Sequence, residues 1–327
     1  MTDSELLRRR HRLMGGATLF YDSPLHIVRG EGVYLYDHEG RQYVDMYNNV
    51  PCVGHANPHV VAAIEKQMST LNVHSRYLHG GILDFAERLL SYHHAGLEQV
   101  VFACSGTEAS EIALLMARHG TGGQGIVCSD ATYHGNSTEV DKMSAQPVTD
   151  PNFRSIPFPQ TYRPLAEGLD STDLARLYLG KLQEAIDDFA ENNIPFAGLF
   201  FCSIFANEGL PDIPQGFMAQ AVELVHKAGG VVIADEVQAG YCRSGNWWGY
   251  ETSQFTPDIV TMGKPMGNGL PVSAVAACTD LVSAFREHTH YFNTFASSPV
   301  QAATGMAVID VIEREDLLTR SAAVGDY

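Results

Sequence analysis

The sequence predicts an α/β chain: a large, mostly parallel sheet covered by helices on both faces, preceded by a small antiparallel appendage. Three observations carry this. From about residue 100 onward, short apolar runs alternate with amphipathic helical patterns. Those runs are apolar throughout, the pattern of strands buried on both faces. Apolar residues make up 45% of the 327 positions, enough for a substantial core in a chain longer than the commonest single domain.

The elements follow in order. "EGVYLYDHEGRQYVDM" alternates around His38-Glu39-Gly40, a hairpin signal. "GHANPHVVAAIEKQM" begins a helix. "QVVFAC" reads as a strand leading into the helix "SGTEASEIALLMARHG", and "GIVCSD" as one leading into the turn "ATYHGNS". "FAGLFFCSIF" precedes the helix "GFMAQAVELVHKAGG", whose apolar positions are Phe217, Ala221, Leu224, Val225 and Ala228. "VVIADEV", "DIVTMGK" and "VSAVAAC" are read as further strands of the parallel sheet. A long helical pattern starts at Ser298 and the chain stops at Tyr327, so a further C-terminal segment is expected.

Composition narrows the function classes. The formal net charge of −17 argues against a nucleic-acid surface. Arg8, Arg9, Arg10 and Arg12 form one basic cluster, accounted for by a solvated helix. No run reaches the roughly 18 apolar residues of a membrane span, and "MTDSELLRRRHRLMGG" has no apolar stretch after its basic residues. Six scattered cysteines without a C-x-x-C pair fit a reduced, cytoplasmic setting.

Two motif matches are rejected. "GTGGQG" at 120–125 matches G-x-G-x-x-G, but it follows a helix and precedes a strand, the reverse of a dinucleotide fingerprint. His55 and His59 are four apart, yet Pro58 lies between them and spoils a metal-binding helix. No metal is expected.

The chemistry is concentrated elsewhere. In "CSGTEAS", Ser105 and Glu108 have capping-box spacing. The same Ser-Gly-Thr also exposes N–H groups and hydroxyls at a positive helix end, where phosphate binds. Asp235 ends an apolar strand, at the edge where ligands of such sheets sit. It is either a helix cap or the partner of a cationic group. Lys264 is one of five lysines and stands without charged neighbours in "TMGKPMGNGLP", where desolvation favours a free, nucleophilic amine. Tyr133 offers an aromatic face. Together these suit pyridoxal 5′-phosphate (PLP), which has a phosphate, a ring nitrogen, a flat face and an aldehyde.

Through "GHANP", "SGTEAS", "YHG", "DEVQAGYCRSG", "GKPMGNGLP" and "NTFASSP" the chain resembles the class III aminotransferases over essentially its whole length. That resemblance implies PLP-transferase fold type I, with a large, mostly parallel seven-stranded sheet domain and a smaller α+β domain. Residues 1–55 would begin the small domain, 56–310 form the large PLP-binding domain, and 311–327 start a C-terminal small-domain segment whose remainder is missing. It further implies that Lys264 carries the Schiff base and shuttles the proton, and that Asp235 keeps the ring nitrogen protonated. Gln238 would reach the ring hydroxyl, with Val237 on one ring face and Tyr133 on the other, beside His134. Ser105, Gly106 and Thr107 would hold the phosphate, and Thr294 the phosphate of a neighbouring subunit, hence a homodimer with shared sites.

The expected activity is transfer of an amino group between an amine or amino acid and a 2-oxo acid. "YNNVPCVGH", "LNVHSRYLH", "GKPMGNG" and "YFNTF" look most like the branch containing ethanolamine-phosphate phospho-lyases, so elimination of phosphate from a phosphoamine is the alternative. A non-catalytic PLP-fold protein is a third reading. Three departures bear on the substrate: Cys202-Ser203 where many members carry Glu-Pro or Glu-Ser, "FASSP" in place of a commoner Gly-Gly-Asn-Pro, and the absent segment that usually supplies a carboxylate-binding arginine. Arg76 is the candidate anchor for an anionic substrate group.

Overall fold

A computed structural model describes all residues except 1–2, 17–18, 20, 22 and 48–49. Helix α1 (Asp3–Met14) is followed by a three-stranded antiparallel sheet of β1 (Ile27–Glu31), β2 (Tyr34–Asp37) and β3 (Gln42–Val44). The expected turn is present: Gly40 has φ 84°, and Asp37 Oδ1 accepts from the backbone N–H groups of Glu39 and Arg41. Helix α2 (Pro58–Met68) starts where Asn57 caps it and proline takes its first position. Helix α3 (Gly80–Leu90) follows.

The large sheet is built from β4 (Gln99–Ala103), β5 (Gly125–Ser129), β6 (Phe153–Ile156), β7 (Phe196–Cys202), β8 (Val231–Asp235), β9 (Ile259–Met262) and β10 (Ser273–Ala277). Its order is β4-β10-β9-β8-β7-β5-β6. Helices α4 (Gly106–Thr121), α5 (Asp141–Ser144), α6 (Ser171–Glu191), α7 (Phe217–Lys227), α8 (Gly249–Thr252) and α9 (Thr279–His288) lie along the chain between and after these strands, ahead of α10 (Pro299–Arg314) and α11 (Leu317–Gly325). Successive residues enter opposite cores. Val101, Ile126, Cys128, Ile233 and Val275 pack in one with α4 and α9; Phe102, Val127, Val232 and Ala274 pack in the other with α6, α7 and α10. That is why these strands read as apolar without alternation.

One strand departs from expectation. "VSAVAAC" forms β10, but it runs antiparallel to both β9 and β4. The link from β9 holds only a short 3₁₀ turn, Lys264–Gly267, and a parallel return needs a crossover of a dozen or more residues, usually a helix. Because β10 reverses twice, β4 still runs parallel to β9, and the carboxyl ends of β4, β5, β7, β8 and β9 share one rim.

The "GTGGQG" stretch is the helix–strand loop expected of it. Gly122 caps α4 with φ 72°, and its N–H bonds Arg118 O. His55 and His59 turn to different carboxylates, Asp45 at 2.7 Å and Asp310 at 3.0 Å.

Candidate active site

The shared rim collects the site. Ser105 caps α4, its Oγ accepting from the Glu108 N–H at 3.2 Å. The reciprocal arm lands one residue early: Glu108 Oε2 accepts from the Cys104 N–H at 2.8 Å rather than from the Ser105 N–H, and takes the Ser105 hydroxyl at 3.3 Å. Ser273 Oγ donates to Ser105 O at 2.8 Å and fixes this corner from β10. The first N–H groups of a helix have no partner within it, so those of Gly106 and Thr107 are left to face outward.

A cleft of about 180 Å³ opens here, lined by Gly106, Thr107, Tyr133, His134 and Gly135 together with Asp235, Val237, Gln238 and Lys264. Cys202, Ile204, Ala206, Asn207 and Ala239 complete it. Eight of the residues named from the sequence therefore meet, although they come from the ends of four strands. Ser105 lies just outside. Thr294 and Arg76 are exposed and do not line this cleft; the Arg76 guanidinium sits 4.3 Å above the Phe292 ring.

Asp235 is 6% exposed. Its Oδ1 accepts the Val237 N–H at 2.9 Å, and Oδ2 lies 2.6 Å from His134 Nδ1. His134 stacks on Phe200 with centroids 4.2 Å apart and has Thr132 Oγ1 2.7 Å from Nε2. A neutral ring that donates from Nδ1 and accepts the Thr132 hydroxyl at Nε2 satisfies all three groups. Burial and the Asp235 charge push the Cys202 thiol well above its usual range, so it stays a neutral neighbour.

Lys264 begins the 3₁₀ turn two residues beyond β9 and donates to Gln238 Oε1 at 3.2 Å. Burial lowers its pKa, Asp235 opposes this, and Arg243 adds to the lowering, the direction anticipated from its uncharged neighbours. The turn is held from outside. Asn268, at φ 48°, donates to Gly54 O at 2.9 Å and accepts the Val53 N–H at 3.1 Å. The Cys52 thiol reaches Pro265 O at 3.5 Å. Thus "PCVGHANP" and "GKPMGNGLP" brace each other.

Packing is tightest beside Val237. A Cβ on Gly106 would stand 2.9 Å from Val237 Cγ1, and one on Gly263 would stand 3.3 Å from the same methyl. At the residue after Gly106, Thr107 Oγ1 bonds Asn136 at 3.2 Å, and a Cβ on Gly135, at φ 143°, would strike Thr107 Oγ1 at 2.7 Å. Asn207 Nδ2 donates to Tyr133 O at 3.3 Å. Asn136 and Asn207 were not singled out from the sequence, because neither carries a motif; only the fold brings them near Thr107 and Tyr133.

These residues fit pyridoxal phosphate. The free N–H end of α4 suits a phosphate, glycine at 106 and 263 lets the backbone pack directly on the Val237 methyls at the cleft wall, a buried carboxylate awaits a cationic nitrogen, and a desolvated amine stands at the same rim.

The Aminotransferase class-III family model matches residues 20–327. A Drosophila melanogaster protein, alanine–glyoxylate aminotransferase 2-like, is 36% identical over 340 residues, covering 100% of this chain and 69% of that protein. The Caenorhabditis elegans ethanolamine-phosphate phospho-lyase homolog 1 is 34% identical over 342 residues, covering 98% and 73%. Among solved structures, a phospholyase from Arthrobacter in complex with phosphoethanolamine matches with TM-score 0.93 at 40% identity, over 98% of this chain and 77% of that one. The chain belongs to the class III aminotransferase family, a family of enzymes.

Proposed function

We propose that this protein is a PLP-dependent aminotransferase moving an amino group between an amine or amino acid and a 2-oxo acid. The observation that carries the reading is the desolvated Lys264 amine in a cleft shared with the buried Asp235 carboxylate. When bound, pyridoxal phosphate supplies an aldehyde for condensation with amines and a protonated ring that stores the electron pair released from the substrate carbon.

The chain's own residues supply the rest. Burial keeps more of Lys264 as the neutral amine, able first to attack a carbonyl and later to take and return a proton at Nζ. Asp235 holds the ring nitrogen as its cationic partner, and the Val237 N–H and His134 fix its two oxygens. Gly106 and Thr107, with Ser105 beside them, receive the phosphate. Val237 and Tyr133 would hold the ring between them, and Gln238, already hydrogen-bonded to Lys264, would bind the ring hydroxyl.

Phosphate elimination from a phosphoamine is a second reading, favoured by the 40% identity to a phospholyase and by Cys202 and Ser203 at the end of β7, in place of the Glu-Pro or Glu-Ser of many class III members. Both activities need the same Lys264 and Asp235, so the substrate anchor decides between them. Arg76 is the proposed anchor. Its exposure, like that of Thr294, Phe292, Phe295, Tyr77 and Leu78, supports a homodimer in which a second copy covers this face and completes the site. Residues 1–55, 56–310 and 311–327 are the proposed domain segments. Six free cysteines support a reducing compartment, and the cytoplasm is the proposed location; no described helix is long and apolar enough to cross a membrane.

The test is to load the chain with PLP, reduce with borohydride and map the labelled peptide, while assaying a panel of amines and phosphoamines for both 2-oxo acid consumption and phosphate release. Label on Lys264 with amino transfer supports the main reading. Phosphate release without amino transfer selects the second, and label on another lysine overturns both.

A further inference from the structure

Three side chains far apart in sequence meet at the outer end of the small sheet. Asp3 opens α1, His26 immediately precedes β1, and His38 follows β2. The two histidines face each other across the strand pair: Ile27 pairs with Asp37, and the His38 N–H bonds His26 O at 3.1 Å. Their rings stack with centroids 4.6 Å apart at 25°. Both Nδ1 atoms converge on one oxygen, Asp3 Oδ1, at 3.1 Å from His26 and 3.8 Å from His38. All three donor atoms lie within 4.8 Å of one another.

We propose that Asp3, His26 and His38 form a binding site for a zinc-class divalent transition-metal ion, which staples α1 to the small sheet. Imidazole nitrogen selects such ions over magnesium or calcium, which take oxygen donors. Zinc binds nitrogen and oxygen at about 2.0–2.2 Å, so two ligands of one tetrahedral ion stand about 3.4 Å apart. The nitrogen–oxygen separations of 3.1 and 3.8 Å bracket that value, and the two nitrogens, within 4.8 Å of each other, have to draw closer for both to hold one ion. The ion takes the place of the proton shared between His26 Nδ1 and Asp3 Oδ1, and water fills the fourth position of a tetrahedral set. A staple is useful here because no residue of α1 is buried. The site lies outside the cofactor cleft and does not depend on the activity assigned there.

Zn²⁺ titrated into the chain by calorimetry, with Co²⁺ absorption as the geometric probe, tests the site. Wild type should bind one ion that His38→Ala, and separately His26→Gln, weaken at least tenfold, with circular dichroism unchanged. Trypsin, cutting at Arg8, Arg9, Arg10 and Arg12, should attack wild type several-fold more slowly with Zn²⁺ than without it, and the His38→Ala chain equally in both. Equal Zn²⁺ affinity in wild type and both variants overturns the site; unchanged trypsin rates in wild type overturn the staple.

Discussion

Gly106→Ala adds one methyl at the point where α4, β8 and the Lys264 turn converge. The new carbon would sit 2.9 Å from Val237 Cγ1 and 3.2 Å from Cγ2, against a preferred carbon–carbon separation of about 3.5–4.0 Å. Val237 has little freedom to yield. Its χ1 is stiff because it is β-branched, its N–H is committed to Asp235, and Gly263 stands behind the same methyl. Overpacking of this kind costs about 1–3 kcal/mol. Relief comes by swinging the methyls into the cleft or by lifting the first turn of α4, and either movement falls on the cofactor. We expect the PLP dissociation constant to rise about tenfold, equivalent to about 1.4 kcal/mol. Spectroscopic titration of cofactor into apoprotein reads this directly. The decisive form is a double-mutant cycle with Val237→Ala, which removes the struck atoms. The double variant should bind PLP better than the sum of the single losses predicts, by a coupling of about 1 kcal/mol or more. Strict additivity would refute the argument, because the damage would then not pass through Val237.

Asp235→Asn should retain much of its cofactor yet lose about 10²-fold or more in turnover; full occupancy with near-normal kcat would reduce Asp235 to a structural cap. Arg76→Met should raise KM for phosphoethanolamine about tenfold or more, through loss of about 1.5 kcal/mol of charge-assisted bonding, while barely affecting an uncharged amine; equal losses on both would make Arg76 structural. Burial pushes the His93 pKa down to about 3, with His94 adding to the effect. The unfolded chain therefore takes up the proton first, and stability is complete above about pH 6.5 and lost as pH falls toward 3. Between pH 7.5 and 5 this amounts to about 2 kcal/mol, and His93→Phe should remove that part of the slope in denaturant titrations; an unchanged slope counts against it.

Much of this was legible in the sequence, for a physical reason. Strands buried on both faces cannot hide their composition, so β4, β5, β7, β8 and β9 announce themselves, and chemistry at their carboxyl ends stands out as polar residues breaking apolar runs. Lys264 was conspicuous because it lacks the charged company that solvated lysines keep. The direction of β10 was missed: an apolar run shows burial, and only the length and content of its connection show which way it runs. The His134–Asp235 bond, the contact of Asn207 with the Tyr133 loop and the meeting of Asp3, His26 and His38 join residues distant along the chain, and no local pattern encodes such distances. Capping was foreseen at Ser105, but the second arm of Glu108 went to Cys104, a choice made by geometry rather than spacing.

The placement of β10 has a consequence for synthesis. Strand β4 is the first of the large sheet to be made and takes an edge position, yet its one partner in the sheet is β10, which is made about 170 residues later. At about 5–20 residues per second on the ribosome, "QVVFA" waits on the order of ten seconds or more before its backbone can be paired. Throughout that interval it is an unprotected apolar strand. Ser273 reaches Ser105 only when β10 docks, so the phosphate-facing corner of the site assembles late. Nascent chains arrested shortly before residue 273 should therefore expose this strand to chaperones, and those extended past residue 277 should not.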